Sequence, residues 1–260
     1  MVIESTSLRR GVGRRSLLSG VAATSALIAS GGLPQVAGAQ ATPVVIKCLP
    51  IDRSTILAGS RFDLRVEVAG AQPDKIEVTV NGRDADAYFG TPGARTTETA
   101  GKSGEVTWRQ VSVSVPGPVA VQVVATAGGR AYADTFTWTV LRLGEGRAKN
   151  VILFISDGMG YPTVTATRIV SRGITEGKYD GFLNMDRMEY RGTVTTSGYD
   201  TLVTDSANSA SAYATGHKSV NNAMGVYEDN TKDTLDDPKV ENLIELVKRT
   251  RKMATGLVST

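Results

Sequence analysis

The 260 residues are 41% hydrophobic and 21% charged, ordinary globular proportions that exclude wholesale disorder. The net charge of +3 is carried by the first 39 residues, where Arg9, Arg10, Arg14 and Arg15 face only Glu4. The rest of the chain has equal numbers of basic and acidic residues, so the basic pI does not argue for nucleic acid as a specific partner. No repeat has a solenoid period, and no apolar run is long enough for a stable membrane span.

Residues 1–39 have the three parts of a secretory leader: a basic stretch, a modest apolar run from Leu17 to Ile28, and small residues at Ala37-Gly38-Ala39. Cleavage is expected after Ala39, before Gln40. Arg14-Arg15, two residues ahead of Leu17-Leu18, resembles a twin-arginine leader. That implies the twin-arginine translocase as a partner during export and a periplasmic or secreted bacterial destination. An ordinary Sec leader with adjacent arginines is the alternative. Cys48 is the single cysteine, so an intramolecular disulfide is excluded, and burial as a small hydrophobe is expected.

Residues 44–142 read as a small all-β region. Phe62-Asp63-Leu64-Arg65-Val66-Glu67-Val68 alternates apolar and charged residues, and Lys75 to Val80 alternates again before Asn81-Gly82. Period-two patterns ending in Asn-Gly predict half-buried strands and a hairpin. Further strands are predicted at Val111–Val115, Val119–Ala125 and Ala133–Leu141, with a long loop over 83–105. The expected architecture is an immunoglobulin-like sandwich with Trp108 and Trp138 in its core. Residues 143–148, polar and glycine-rich, read as a linker.

The pattern changes at residue 149. Val151-Ile152-Leu153-Phe154-Ile155 is a continuous apolar run, as in a strand buried on both faces of a parallel sheet. It ends in Ser156-Asp157-Gly158-Met159-Gly160, and a helix is predicted over Thr163–Val170. Ligands of open α/β sheets bind beyond the carboxyl ends of strands, which places Asp157 where a cation or phosphate would sit. A tight turn with an aspartate cap is the reading these residues favour by themselves. After a short strand at Thr193–Thr196, the small residues from Ser206 to Thr215 predict a helix, with Asp205 as N-cap and Gly216 as stop. Ser206 would lie where free N–H groups and the helix dipole favour negative charge, as a nucleophilic alkoxide or its phosphate would need. Plain capping by Asp205 is the competing reading.

Asn150 to Gly160 and Val203 to Ser219, followed by Val220-Asn221-Asn222-Ala223-Met224-Gly225-Val226, together resemble the alkaline phosphatases. A closing helix from Asn242 to Arg251 and a strand from Ala254 continue the likeness, which covers roughly residues 147–260. The resemblance implies residues 149–260 to be the N-terminal portion of a three-layer α/β/α domain. It implies hydrolysis of phosphate monoesters through a phosphoserine at Ser206, with two zinc ions and one magnesium ion. Asp157 matches the carboxylate bridging magnesium and one zinc, Ser206 also meets zinc, and Asp205 matches the acid that helps orient a phosphate-binding arginine. A homodimer is left open.

His217, the single histidine, stands outside the metal cluster of the resembling proteins and is read, with Lys218, as a helix-end packing residue. The family's zinc histidines, phosphate-binding arginine and remaining magnesium ligands have no counterpart up to Thr260. The expectation is therefore a piece of a longer enzyme, inactive by itself. The alternatives are a phosphodiesterase of the same superfamily, against which Asp205-Ser206-Ala207 argues, and a non-catalytic exported binding module or decayed enzyme.

Overall fold

The computed structural model describes residues 43–98, 103–142, 144–146, 148–231 and 233–259. The leader expected over 1–39 lies outside the described residues, as do Leu143 and Arg147 of the linker.

The all-β region is a sandwich of two sheets. One has the order β1 (Val45–Leu49), β3 (Arg61–Ala69), β7 (Ser103–Ser112), β6 (Ala94–Glu98), all antiparallel. The other runs β2 (Thr55–Leu57), β9 (Arg130–Leu141), β8 (Gly117–Ala127), β4 (Lys75–Val80), β5 (Arg83–Asp84), with only β2 and β9 parallel. Alternation accounts for this layout: Phe62, Leu64, Val66 and Val68 of β3 meet Val119, Val121, Val123 and Ala125 of β8 in one core. Both tryptophans lie in that core, with Phe62 and Trp138 edge to face at 5.5 Å. Cys48 is buried there too, and burial pushes its thiol well above the ordinary range.

Asn81 and Gly82 both have positive φ, 51° and 76°, and close a two-residue hairpin from β4 to β5. The loop expected over 83–105 is instead β5, a short helix α1 (Ala85–Phe89), β6 and the start of β7. Asp84 caps α1 through Ala87 N, and Asp86 accepts hydrogen bonds from Gly93 N and Trp108 Nε1, so polar side chains organise what composition reads as loop. The strand expected over 111–115 is likewise corrected, because β7 stops at Ser112.

Beyond residue 148 the structure has helices α2 (Tyr161–Arg172), α3 (Ser206–Thr215) and α4 (Leu243–Arg251), and a minimal hairpin of β10 (Ile174–Thr175) and β11 (Lys178–Tyr179). The strands expected at 151–155, 193–196 and from 254 are not formed: the described residues there belong to no strand and pair with none. Val151 to Ile155 are 50–85% exposed. A strand needs a neighbour for its backbone groups, and no described segment supplies one to these three. The described residues thus do not assemble the three-layer α/β/α sheet.

Candidate active site

Helix α3 begins as its sequence dictates. Asp205 takes an extended conformation and its Oδ1 accepts from Asn208 N at 2.9 Å, while Asn208 Oδ1 accepts from Asp205 N at 3.2 Å. This reciprocal capping box satisfies two donors at once. Asn208 also accepts from the Thr204 hydroxyl. Gly216, at φ 80°, ends the helix in the left-handed conformation, its N–H donating to Ala212 O. Between the caps, Ser209 and Thr215 turn their hydroxyls onto carbonyls four residues back, at 2.6 Å each.

Ser206 is the first helical residue and is exposed, and its hydroxyl is taken by none of the described residues. The second oxygen of Asp205 is already committed, accepting from Asn222 N at 2.6 Å. Asp157 stands exposed in the turn Ser156–Met159, where Gly158 adopts φ 66°. Asp205 and Ser206 are thus brought together by the helix start, whereas no bond or ion pair joins Asp157 to either.

His217 lies past the helix end, buried, with Nδ1 2.8 Å from the Tyr227 hydroxyl and the two rings edge to face. Burial pulls the imidazole down to about 4, so it is neutral at ordinary pH. It packs at the helix end, as its position suggests. Lys218 Nζ donates to Ser197 Oγ at 2.8 Å.

In the sequence the stretch 220–226 stands out only for its family likeness; that it braces this helix is not legible there. Gly225 N donates to Ser211 Oγ at 2.7 Å, and Ser219 Oγ donates to Val226 O at 2.5 Å. Tyr227 follows, buried within the hydrophobic cluster of the β-sandwich. The signal available for it was Val226-Tyr227, a β-branched and an aromatic residue just ahead of the polar run over 228–233.

The alkaline phosphatase family model matches residues 148–260. Alkaline phosphatase H of Pseudomonas aeruginosa is 44% identical over 124 residues, which are 45% of this chain and 24% of that protein. The tissue-nonspecific alkaline phosphatase of Gallus gallus is 34% identical over 121 residues, covering 45% of this chain and 23% of its own length. Streptomycin-6-phosphate phosphatase of Streptomyces griseus is 39% identical over 124 residues, 46% of this chain and 25% of that protein. Residues 148–260 are thus similar to the alkaline phosphatases along their length. The chain spans about a quarter of the length of these curated relatives. Among solved structures, the titin M3 domain aligns with a TM-score of 0.27 at 11% identity over 37% of this chain and 95% of its own, too slight to bear on the fold.

Whether the segment similar to the alkaline phosphatases can hold the expected metals is a matter of its donor groups. Among the described residues no three His, Cys, Asp or Glu side chains converge on a point where an ion could sit. Asp157, Asp205 and Ser206 by themselves do not make the zinc and magnesium centre that the family resemblance implies.

Proposed function

We propose that this chain is part of an exported phosphate monoester hydrolase in which Ser206 accepts the phosphoryl group. The observation carrying the proposal is the exposed hydroxyl of Ser206 at the first position of a capped helix, within the alkaline phosphatase segment. The N–H of Asn208 is consumed by Asp205, leaving those of Ser206 and Ala207 directed out of the helix start toward a phosphate oxygen. Ser206 Oγ attacks phosphorus in line with the ester oxygen; the Oγ–P bond forms as the hydroxyl gives up its proton, the ester P–O bond breaks, and the departing alkoxide takes up a proton to leave as the alcohol. Water then attacks the phosphoserine, releasing inorganic phosphate and restoring the hydroxyl.

Asp157 is proposed as the carboxylate that turns toward this site, and Asp205 as the residue that orients a phosphate-binding arginine. The donor set described here does not fit the two zinc ions and one magnesium ion, so the 260-residue polypeptide alone is proposed to turn over negligibly. A three-layer sheet is proposed to form when 151–155, 193–196 and the segment from 254 gain strand partners. Export by the twin-arginine route belongs to the same reading, and no described helix is long and apolar enough to cross a membrane.

The test is hydrolysis of a chromogenic monoester and a chromogenic diester by the natural protein, captured with an antibody against residues 44–142. Ser206→Ala is expected to lower monoester turnover by a factor of about 1,000 or more. Unchanged turnover in that variant removes Ser206 as nucleophile, and faster diester hydrolysis moves the reading to a phosphodiesterase. Efficient turnover by the 260-residue polypeptide alone overturns its proposed inactivity.

A further inference from the structure

On β3, the face turned away from the sandwich core carries Asp63, Arg65 and Glu67, and all three are buried. Their cover comes from the alkaline phosphatase segment. Arg65 spreads its guanidinium across both parts: Nε donates to Glu67 Oε1 at 2.9 Å and Nη1 to Thr107 Oγ1 at 3.3 Å, while Nη2 donates to Asn230 Oδ1 at 2.8 Å and lies 3.3 Å from Asp229 Oδ2. Asn230 N returns a bond to Glu67 Oε1 at 3.1 Å, and Lys47 Nζ donates to Glu228 O at 2.8 Å. Arg109 pairs with Asp63 at 2.8 Å and donates to Asp236 O at 2.6 Å.

The backbone joins as well. β1 pairs only with residues 65–69 of β3, and beyond its end Val240 bridges Phe62 in antiparallel fashion. Asp63 N donates to Lys239 O and Glu241 N to Arg61 O, each at 2.8 Å. Residues 239–241 therefore continue the sheet row that β1 leaves unfinished. Arg249 of α4 closes the join, gripping Glu241 and donating to Gly59 O at 2.9 Å. Tyr227 and Val240 enter the sandwich's hydrophobic cluster.

From this join a short path leads back to α3. Val240 N donates to Gly225 O at 3.0 Å, Gly225 N to Ser211 Oγ, and Asn222 N to Asp205 Oδ2 beside Ser206. We propose that the β-sandwich is the platform that positions the helix carrying Ser206, with Arg65 and Tyr227 as positioning residues acting through residues 219–241. The importance of that positioning for turnover rests on Ser206 being the nucleophile; the mechanical link does not.

The experiment cuts the tether from the loop side, leaving every strand intact, with the double variant Asp229→Asn, Asn230→Ala in the full chain. Hydrogen exchange is read at Asn208 and Asn222 in α3 and its brace, at Thr231 and Lys239 in the loop, and at Val121 and Val123 in β8. The imidazole signal of His217 is titrated alongside. The expected result is exchange at Asn208 and Asn222 faster by about tenfold, with β8 still protected. His217, drawn down to about 4 in the intact junction, is expected to titrate closer to its ordinary 6.5. Freed loop amides with α3 and His217 unmoved would overturn the proposal, and so would loop amides that stay protected. Should the double variant fail to fold, Asn230→Ala alone is decided on the same signals. Ser206→Ala leaves this exchange pattern unchanged, so a failed nucleophile and a failed platform give different results.

Discussion

His217 concentrates much of the chemistry of the junction in one side chain. It is held near 4 by burial, whereas an unfolded chain would titrate it at 6.5. Between those values the unfolded state binds the proton and the folded state does not, so stability falls as pH drops from about 6.5 toward 4. The loss approaches roughly 3 kcal/mol at the acid end. Urea unfolding at pH 7.5 and pH 4.5 is expected to show a larger difference for the native chain than for His217→Gln. Equal differences would mean that the imidazole protonates without opening its contact with Tyr227. Gly198 makes a second case. A β-carbon there would lie 2.5 Å from Asn208 Nδ2 and 3.2 Å from Thr201 Cγ2, and Asn208 is pinned on its other side by Asp205 N and Thr204. Gly198→Ala is expected to cost about 1–3 kcal/mol in the same unfolding measurement, through displacement of the capping asparagine.

Helices and strands divide by whether their determinants are local. Helix α3 was legible because Asp205, the small residues and Gly216 act within a dozen positions; α4 was expected from the family likeness alone, although its capping box of Asn242 and Glu245 is just as local. Asp205→Ala is expected to lower stability by about 1–2 kcal/mol, measured by thermal unfolding, since it removes the bond to Asn208 N together with that to Asn222 N. The strands of the sandwich were legible from alternation, but alternation also misled. Asp63, Arg65 and Glu67 read as a solvated face and are instead a buried ion-pair surface, because a segment more than 160 residues away lies over them beside Thr107 and Arg109 of β7. Residues 151–155 carry the pattern of a buried strand without the neighbours burial requires. Periodicity states what a segment can pair with and is silent on whether a partner is there. The candidate site divides in the same way: Asp205 and Ser206 are joined by one helix start, while nothing among the described residues joins Asp157 to them.

In the whole molecule, the β-sandwich and the segment beyond residue 148 share a hydrophobic cluster and a charged seam. A binding module working independently would not place its central arginine in a bond with Asn230 or leave room in its core for Tyr227. Residues 43–142 alone are therefore expected to unfold at least about 5 °C below the sandwich within the chain, followed by far-ultraviolet circular dichroism. Equal midpoints would return the sandwich to the status of a separable module. The placement of Trp108 and Trp138 has an optical consequence. These are the chain's two tryptophans, and both belong to the sandwich core, so indole fluorescence reports that core alone. A quencher in solution that dims this emission has reached the sandwich interior, whatever has happened around Ser206.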